Sequence, residues 1–418
     1  MGVRVLHFSD AHIDMIQGGR RDPQSGFSYR TLDFLKALDS IVDAAISEKV
    51  DLVLFAGDAY RDATPVPTYQ REWGKRMMRL SDARIPTLMI AGNHDTSIAG
   101  GKASALQEYG TLRIPYLHLA RVPKIWTPEE LHGVPVQVLT FPWISRSRMV
   151  ARDQTIQTGE ESGTSPIFSL EEQIISKMDE LLSQADPTLP LILMAHYSVQ
   201  GAVFSSDQVV MLGKEVTLPL SLVKDSRIAY TALGHIHKFQ DLNEGQKPPV
   251  IYPGSIERVN YGESEETKGF ILADIAREGT SYRFVPLATR PMYNIKVTIT
   301  SEEQFQNEVM AALPPAEDIT DAMISLQVSY PEAWEYAFDE RKLRSEVAGA
   351  FDFKLVKNRQ MKSRIRLNLD SGISSMTHQD LLEAYLLSKS TEESEIAALQ
   401  AAAQTIFSEA EGISPQES

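Results

Sequence analysis

Apolar and polar positions follow two alternating periodicities along the first 285 residues. Short apolar runs, rich in β-branched residues, predict buried strands. They lie at Val3–Ser9, Asp51–Ala56, Thr87–Ala91, Val134–Phe141, Leu191–Ala195 and Ile228–Leu233. Between them, Thr31–Ser47 has apolar residues at helical spacing, and a helix is predicted to begin at Ser169, where Glu172 completes a capping box. Strands that alternate with helices are typical of an α/β fold.

A different pattern follows Pro286. Three further strands and two helices are predicted in the order β-α-β-α-β, at Asn294–Ile299, Ser301–Leu313, Ala322–Ser329, Pro331–Val347 and Phe351–Val356. This order indicates a small separate α+β domain. Only helical patterns remain further on, in His378–Ser388 and Glu392–Ser408. We therefore predict three domains, at residues 1–285, 286–370 and 371–418.

Five of the strand-like runs each end in a polar cluster. The clusters are Asp10-Ala11-His12, Gly57-Asp58, Gly92-Asn93-His94-Asp95, His196 and Gly234-His235-Ile236-His237. Taken singly, a Gly-Asp pair is usually a turn, Asn-His-Asp a helix cap and a lone histidine a structural residue. Because the carboxyl ends of strands converge in open α/β sheets, the joint pattern instead favours one shared site.

The side chains in these clusters are suited to metal binding. Seven of them are candidate oxygen or nitrogen ligands, namely Asp10, His12, Asp58, Asn93, His196, His235 and His237. This is the number needed by two ions that share a bridging carboxylate. The chain has no cysteine, so thiolate sites and disulfides are excluded. Carboxylates with imidazoles suit Mn, Fe or Zn better than Ca.

The five clusters, in this order, resemble the pattern D-x-H, G-D, G-N-H-D/E, H and G-H-x-H of the calcineurin-like metallophosphoesterase superfamily. Three further features resemble its SbcD-type nuclease family: the opening Leu6–His12; the block Tyr252–Arg258, with Gly262-Glu263 and Lys268-Gly269-Phe270 after it; and the small α+β domain followed by helices. The resemblance implies an α/β fold in which a β-sandwich is flanked by helices. A small α+β capping domain that binds DNA would follow the sandwich, and C-terminal helices would follow the capping domain.

The resemblance also implies a role for each candidate residue. One ion would be held by Asp10, His12, Asp58 and His237, and the other by Asp58, Asn93, His196 and His235, with Asp58 bridging. His94 would lie beside the scissile phosphate, to stabilise developing charge or protonate the leaving oxygen. Asp95 would hold His94 in its working tautomer. Mn²⁺ is the metal that the resemblance favours.

Arg61 departs from the pattern of some relatives, which have a histidine three residues after the bridging aspartate. An arginine there would contact the phosphate of the substrate, or it would pair with Asp62 and have no catalytic part. The balance of exonuclease and endonuclease activity therefore stays open.

The activity and partners that the resemblance implies are those of a nuclease subunit. It would cleave double-stranded DNA ends and hairpin or single-stranded DNA, in a repair complex like SbcC–SbcD. The C-terminal helices would bind the SbcC-type coiled-coil ATPase, and the chain would form a homodimer. Two alternatives are a phosphodiesterase of the same fold that acts on small phosphodiesters or phosphoproteins, and a metal-free scaffold.

Charge qualifies the DNA hypothesis. The 418 residues have a net charge of −15, whereas proteins that bind phosphate groups are usually basic. Two bound ions would add about four positive charges, and a basic partner would add more. Local basic clusters lie at Arg146, Arg148 and Arg152, and at Lys354, Lys357, Arg359, Lys362, Arg364 and Arg366. Taken alone, each cluster is more often a solvated surface.

Location is the last expectation from sequence. No run of about 18 apolar residues is present, and the N-terminus resembles a first strand more than a signal peptide. We therefore expect a cytoplasmic protein with no membrane segment.

Overall fold

Most strands of the chain belong to two six-stranded sheets. The computed structural model describes residues 2–16, 20–96, 103, 105–144, 166–205, 216–360, 377–388 and 395–403. Contacts divide the chain into two units. The first comprises Met1–Asn294, Pro314–Ser325 and Val347–Lys354, and the second comprises Ile295–Leu313, Leu326–Glu346 and Leu355–Ser418. Both large sheets lie in the first unit.

The first sheet has the strand order β14-β13-β1-β2-β3-β4. Its strands are β1 Val3–Phe8, β2 Leu52–Phe55, β3 Thr87–Ile90, β4 Leu117–Ala120, β13 Gly269–Ala276 and β14 Gly279–Pro286. Strands β1 to β4 are parallel, and the β13–β14 hairpin joins β1 antiparallel. The ends of β1, β2 and β3 therefore point the same way.

The second sheet has the order β11-β12-β10-β7-β6-β5. Its strands are β5 Lys124–Trp126, β6 Gln137–Phe141, β7 Leu191–His196, β10 Tyr230–Gly234, β11 Gln240–Asp241 and β12 Val250–Tyr252. Strands β6, β7, β10 and β12 are parallel. A short parallel pair, β8 Ser198–Val199 and β9 Thr217–Leu218, forms a separate two-stranded sheet.

Apolar side chains on both faces of the sheets build a layered core. In β2, Leu52 and Leu54 belong to the cluster that fills the space between the sheets, whereas Val53 and Phe55 pack on the opposite face, against helices. Successive side chains of a strand point to opposite faces, so both faces of this strand are buried. The described helices of the sandwich include α1 Tyr29–Ser47, α2 Pro67–Asp82, Gln107–Leu112, Pro166–Gln184 and Leu220–Val223. The predicted β-sandwich flanked by helices is confirmed.

Local boundaries correct the sequence-based prediction in two places. The helix that was expected to begin at Ser169 spans Pro166–Gln184, so Ser169 lies inside it. Proline suits the first helical turn, since its missing N–H would have no partner there. The predicted helix Pro331–Val347 is divided into a 3₁₀ helix, Glu332–Ala337, and an α-helix, Glu340–Glu346. Asp339 separates the two and accepts a hydrogen bond from the Lys342 N–H at 3.0 Å.

A three-stranded sheet of order β15-β16-β17 follows the sandwich. Its strands are β15 Met292–Thr298, β16 Met323–Pro331 and β17 Asp352–Gln360, and the helices Phe305–Ala311 and Ala316–Ile319 lie between the first two strands. The boundary between the two units runs through each of these strands. The three-domain division at residues 285 and 370 stays a prediction.

The C-terminal part contains the predicted helix His378–Ser388. Residues 395–403 are also helical, and Gln400 donates a hydrogen bond to Glu383. The rest of the segment predicted as Glu392–Ser408 lies outside the described residues, as do Arg146, Arg148, Arg152, Lys362, Arg364 and Arg366. Within the described ranges, no helix is both long and apolar enough to cross a membrane.

Candidate metal centre

The structure brings the seven predicted ligands together at one edge of the sandwich. Each of them ends or follows one of five parallel strands, with Asp10 and His12 after β1, Asp58 after β2, Asn93 after β3, His196 at the end of β7, and His235 and His237 after β10. Because the carboxyl ends of parallel strands share an edge, residues far apart in sequence converge there.

The backbone at this edge adopts conformations that ordinary residues rarely take. Asp10, His12, Asp58 and His235 have φ angles of 51°, 37°, 62° and 100°. Residues other than glycine seldom have positive φ, and such strain concentrates at functional sites. Gly92 shows how closely the loops approach, since a Cβ added there would lie 2.0 Å from Oδ1 of Asp58. These loops are therefore held in conformations that bring the polar side chains together.

Asp10, His12 and His237 form the first ligand group, with one ligand atom from each within 4.8 Å of the others. Nδ1 of His12 donates to the Tyr60 carbonyl at 3.3 Å, and Nδ1 of His237 donates to Glu263 at 2.9 Å. The remaining nitrogens, both Nε2, lie 3.2 Å apart. Burial lowers the pKa of His12 to about 4, so its Nε2 keeps a lone pair at neutral pH. Burial lowers the pKa of His237, but the Glu263 carboxylate outweighs it and raises the pKa. The short contact between the two Nε2 atoms therefore calls for a positive charge, either a proton or a metal ion.

The second ligand group comprises Asp10, Asp58 and His196, and the predicted ligands Asn93 and His235 lie beside it. Nδ1 of His196 donates to the Ala56 carbonyl at 2.6 Å, and its Nε2 faces Oδ2 of Asp58 at 3.3 Å and Oδ1 of Asn93 at 3.0 Å. Nδ1 of His235 lies 3.1 Å from the same amide oxygen. Burial lowers the pKa of His196, but the Asp58 carboxylate outweighs it and raises the pKa to about 9. This group therefore also demands a positive charge, either a proton or a metal ion.

Asp58 lies between the two groups, since its Oδ2 is 3.9 Å from Nε2 of His12 and 3.3 Å from Nε2 of His196. Burial raises its pKa, but the surrounding histidines more than offset this and hold the pKa far below its usual range. An ionised carboxylate in this position suits a bridging ligand. Carboxylates, an amide oxygen and imidazole nitrogens are donors that divalent transition metals accept, so the residues fit a two-metal centre.

His94 lies at the exposed mouth of the centre. Its ring is edge-on to His12, with ring centroids 5.2 Å apart. Nδ1 donates to the Arg61 carbonyl at 2.9 Å, and the backbone N–H donates to Oδ1 of Asp58 at 3.0 Å. The first bond fixes the tautomer and leaves Nε2 as the nitrogen that can exchange a proton with a substrate.

Asp95 does not hold His94 as predicted. Its oxygens accept hydrogen bonds from the backbone N–H groups of Asp58 at 2.7 Å, Ala59 at 3.0 Å and Gly92 at 3.0 Å. The carboxylate therefore ties the loop after β2 to the loop after β3. Orientation of His94 is left to the main chain of Arg61 because Asp95 is buried beneath the loops and His94 is exposed.

Arg61 meets the site through its backbone. Its N–H donates to Asp14 at 2.6 Å, and its carbonyl receives His94. Its side chain is exposed, and in the described part of the chain no ion pair joins it to Asp62, whose carboxylate accepts from Thr64 at 2.8 Å. The alternative in which Arg61 pairs with Asp62 is thus not the one in the structure.

Three residues beside the ligands were not assigned a role from sequence. Glu263 accepts from His237, and Lys268 pairs with Glu263 at 2.7 Å. Both belong to the quoted Gly-Glu and Lys-Gly-Phe motifs, which was the available signal. Trp143 stacks on His235 with ring centroids 5.6 Å apart and on Tyr197 at 5.3 Å. Nothing in the pattern around Trp143 distinguished it from a core residue.

Comparison with known proteins places this geometry in context. Residues 3–239 match the sequence profile described as calcineurin-like phosphoesterase, a range that includes all seven ligand candidates. A dimetal phosphatase from Danio rerio has 11% identity, 67% of this chain and 98% of that chain covered, and a TM-score of 0.38. The protein TT1561 of Thermus thermophilus has 16% identity, 68% and 99% covered, and a TM-score of 0.38.

Proposed function

Because the chain belongs to the calcineurin-like phosphoesterase family, we propose that it is a two-metal-dependent DNA nuclease, the nuclease subunit of a repair complex like SbcC–SbcD. The family is one of metal-dependent phosphoesterases that use a dimetal site. DNA as the substrate, Mn²⁺ as the metal and the repair complex are our inference. The expected reactions are exonuclease cleavage of double-stranded ends and endonuclease cleavage of hairpin or single-stranded DNA.

The observation that carries the proposal is the convergence of carboxylate oxygens and imidazole nitrogens around Asp58, a set of donors that suits a pair of divalent ions. A second observation supports the more specific assignment. The SbcD-like block lies directly on the ligand loops, since the Ser255 N–H donates to the His237 carbonyl at 3.0 Å. Gly254 has a φ of 81°, and a Cβ there would meet the same carbonyl at 2.6 Å. The block therefore lies against a ligand loop of the candidate centre, which supports a role for it there.

The residues divide the work of hydrolysis among them. Two divalent ions, when bound, stabilise the attacking and leaving oxygens of an in-line displacement. Asp10, His12 and His237 would hold one ion, Asn93, His196 and His235 would hold the other, and Asp58 would contribute to both sites. His94 presents Nε2 at the mouth, where it protonates or stabilises the leaving oxygen. The Arg61 carbonyl accepts from Nδ1 and so stabilises the imidazolium form that this step requires. Asp95 holds the loops of Asp58 and Gly92 together by accepting hydrogen bonds from both backbones.

Partners form part of the same proposal. The helix His378–Ser388 exposes Tyr385, whose surface is 51% accessible, and residues 395–403 expose Leu399 at 45%. Apolar side chains on adjacent helices suit a coiled-coil partner of the SbcC type. A basic ATPase would supply the DNA affinity that a chain of net charge −15 lacks. Homodimerisation and action in the cytoplasm complete the proposal.

The test uses end-labelled double-stranded DNA and a hairpin with the full-length protein, in Mn²⁺, in Mg²⁺ and in EDTA. We expect cleavage in Mn²⁺ and none in EDTA. A His94→Ala variant should lose about 10²–10⁴-fold of the rate, the usual contribution of general acid catalysis, while it still binds two Mn²⁺ ions by calorimetry. His132→Ala, a substitution at an exposed histidine outside the centre, is the matched control and should cleave normally.

Two outcomes would overturn the proposal. Hydrolysis of bis(p-nitrophenyl) phosphate without cleavage of any DNA, even with an SbcC-type ATPase added, would favour a phosphodiesterase of small substrates. Failure of the chelator-free protein to bind divalent ions would favour a scaffold.

A further inference from the structure

We propose that Glu263, paired with Lys268, is a positioning residue that sets the metal affinity of the ligand group Asp10, His12 and His237. The inference rests on the metal centre of the proposed function, but it does not depend on DNA being the substrate.

Several contacts within the protein hold Glu263 in place. Its side chain is 0% exposed, and Oε1 accepts from Nδ1 of His237 at 2.9 Å. Oε2 accepts from the Val259 N–H at 2.9 Å, and Ser255 Oγ lies 3.4 Å from the same oxygen. Glu263 itself ends a short 3₁₀ helix, Tyr261–Glu263, that Asn260 caps. The carboxylate therefore cannot turn away from His237 without breaking several contacts.

Lys268 provides the positive charge that stabilises the buried carboxylate of Glu263. Its side chain is 1% exposed, and Nζ lies 2.7 Å from Oε2 of Glu263 and 2.7 Å from Oε2 of Glu266. Nζ also donates to the His237 carbonyl at 2.9 Å. A buried lysine is costly unless its donors are satisfied, and here three oxygens satisfy them. Lys268 thus stabilises the anionic form of Glu263 and also donates a hydrogen bond to the backbone carbonyl of His237.

The effect of Glu263 on metal binding is confined to the ligand His237. A neutral imidazole has two tautomers, and the Glu263 carboxylate selects the one with a proton on Nδ1 and a lone pair on Nε2. A negative neighbour also makes that lone pair a stronger donor, and partners of this kind typically contribute 10- to 100-fold to metal affinity. His196 has its Nδ1 fixed by the Ala56 carbonyl instead. The second ligand group should therefore not depend on Glu263.

This asymmetry gives a site-selective test. In calorimetric titrations with Mn²⁺, the wild type should bind two ions per chain. Glu263→Gln should bind one ion with unchanged affinity and the other about 10- to 100-fold more weakly. Glu266→Gln is the matched control because it removes a carboxylate from Lys268 without touching His237, and it should change neither affinity by more than about threefold. Absorption spectra of the Co²⁺-loaded proteins should show the band of one site missing at limiting metal.

The buried lysine requires one more variant. If Glu263→Gln fails to fold because Lys268 keeps an unneeded charge, the double variant Glu263→Gln, Lys268→Met removes that charge and should fold with the same selective loss. Two tight sites in either variant, or an equal loss at both sites with a correctly folded protein, would overturn the proposal. Absence of DNA cleavage would contradict the proposed function only, since metal binding is measured without substrate.

Discussion

The hydrogen bond that Nδ1 of a ligand histidine makes decides which of its two nitrogens is left to bind a metal ion. His12 and His196 use main-chain carbonyls, those of Tyr60 and Ala56, whereas His237 uses the carboxylate of Glu263. In all three, the contact fixes a proton on Nδ1 and leaves Nε2 facing the neighbouring ligands. Main-chain acceptors cannot be removed by substitution, so His237 is the one among these three whose partner can be tested by mutation.

His7 shows what a buried histidine looks like when both nitrogens have partners. Nε2 donates to the Leu233 carbonyl at 3.2 Å, and Nδ1 accepts from the Tyr230 hydroxyl at 3.0 Å. The side chain is fully buried and lies three positions before Asp10, yet it has no lone pair to offer a metal. Burial lowers its pKa to about 3.

The buried His7 makes stability fall in acid. Between pH 6.5 and pH 3 the unfolded chain binds a proton at this residue and the folded chain does not, so the free energy of unfolding decreases as the pH falls through this window. The contribution lost by pH 5 is about 2 kcal/mol. His7→Gln removes it, so we expect the stability difference between wild type and variant to shrink by about that amount between pH 7.5 and pH 5.

Urea denaturation in EDTA at the two pH values measures this difference without interference from metals. Parallel losses of stability in the two proteins would show that His7 is not responsible. Tyr230 loses its acceptor in the variant, so a constant destabilisation at both pH values is expected in addition.

At the scale of elements, the strands that carry ligands were predictable because they are buried on both faces and read as continuous apolar runs. Helix α2 was not predicted. Its exposed face is rich in charge, although Trp73, Met77 and Leu80 recur at helical spacing and are buried. The hairpin strand β14 was also missed, since as an edge strand it is only partly buried. The contacts of Asp95 depend on how two distant loops approach, which no local pattern encodes.

Charge in the second unit is paired more than the sequence suggested. Lys357 and Arg359, from the predicted basic cluster, both contact Glu335, at 3.2 Å and 3.0 Å, and Lys357 also contacts Glu340 at 2.8 Å. A hydrogen bond from Tyr330 and these two cations hold the pKa of Glu335 at about 2, so it is anionic at neutral pH. Both cations are therefore paired with acids in the structure.

Glu335→Gln tests whether DNA reaches this surface. The substitution releases two cations, so we expect tighter DNA binding at low salt and a salt slope steeper by about one for each additional phosphate that they neutralise. Binding is measured by fluorescence anisotropy with a labelled duplex at several salt concentrations. Glu332→Gln removes the same charge from an exposed position on the same 3₁₀ helix. Equal effects of the two variants would indicate net charge alone and exclude this surface.

The candidate metal centre and the paired charges around Glu335 lie in different units of the chain. The ligands, His94 and Glu263 all lie in the first unit, whereas the paired charges of Glu335 lie in the second. Two ions bound at the proposed centre would therefore stabilise the first unit directly. Linkage between binding and folding gives about 2.7 kcal/mol for each site at a metal concentration 100 times its dissociation constant.

Metal removal should accordingly lower the melting temperature of the first unit. Trp73, Trp126 and Trp143 lie in this unit and Trp334 in the second, so a Trp334→Phe variant confines the tryptophan signal to the first. Its fluorescence melting transition in EDTA should lie several degrees below that in Mn²⁺. Asp58→Asn, which removes the shared ligand, should abolish most of this difference because both ion sites lose affinity. If the melting temperature of the Trp334→Phe protein is the same in Mn²⁺ and in EDTA, the converging histidines and carboxylates bind protons and not metal ions.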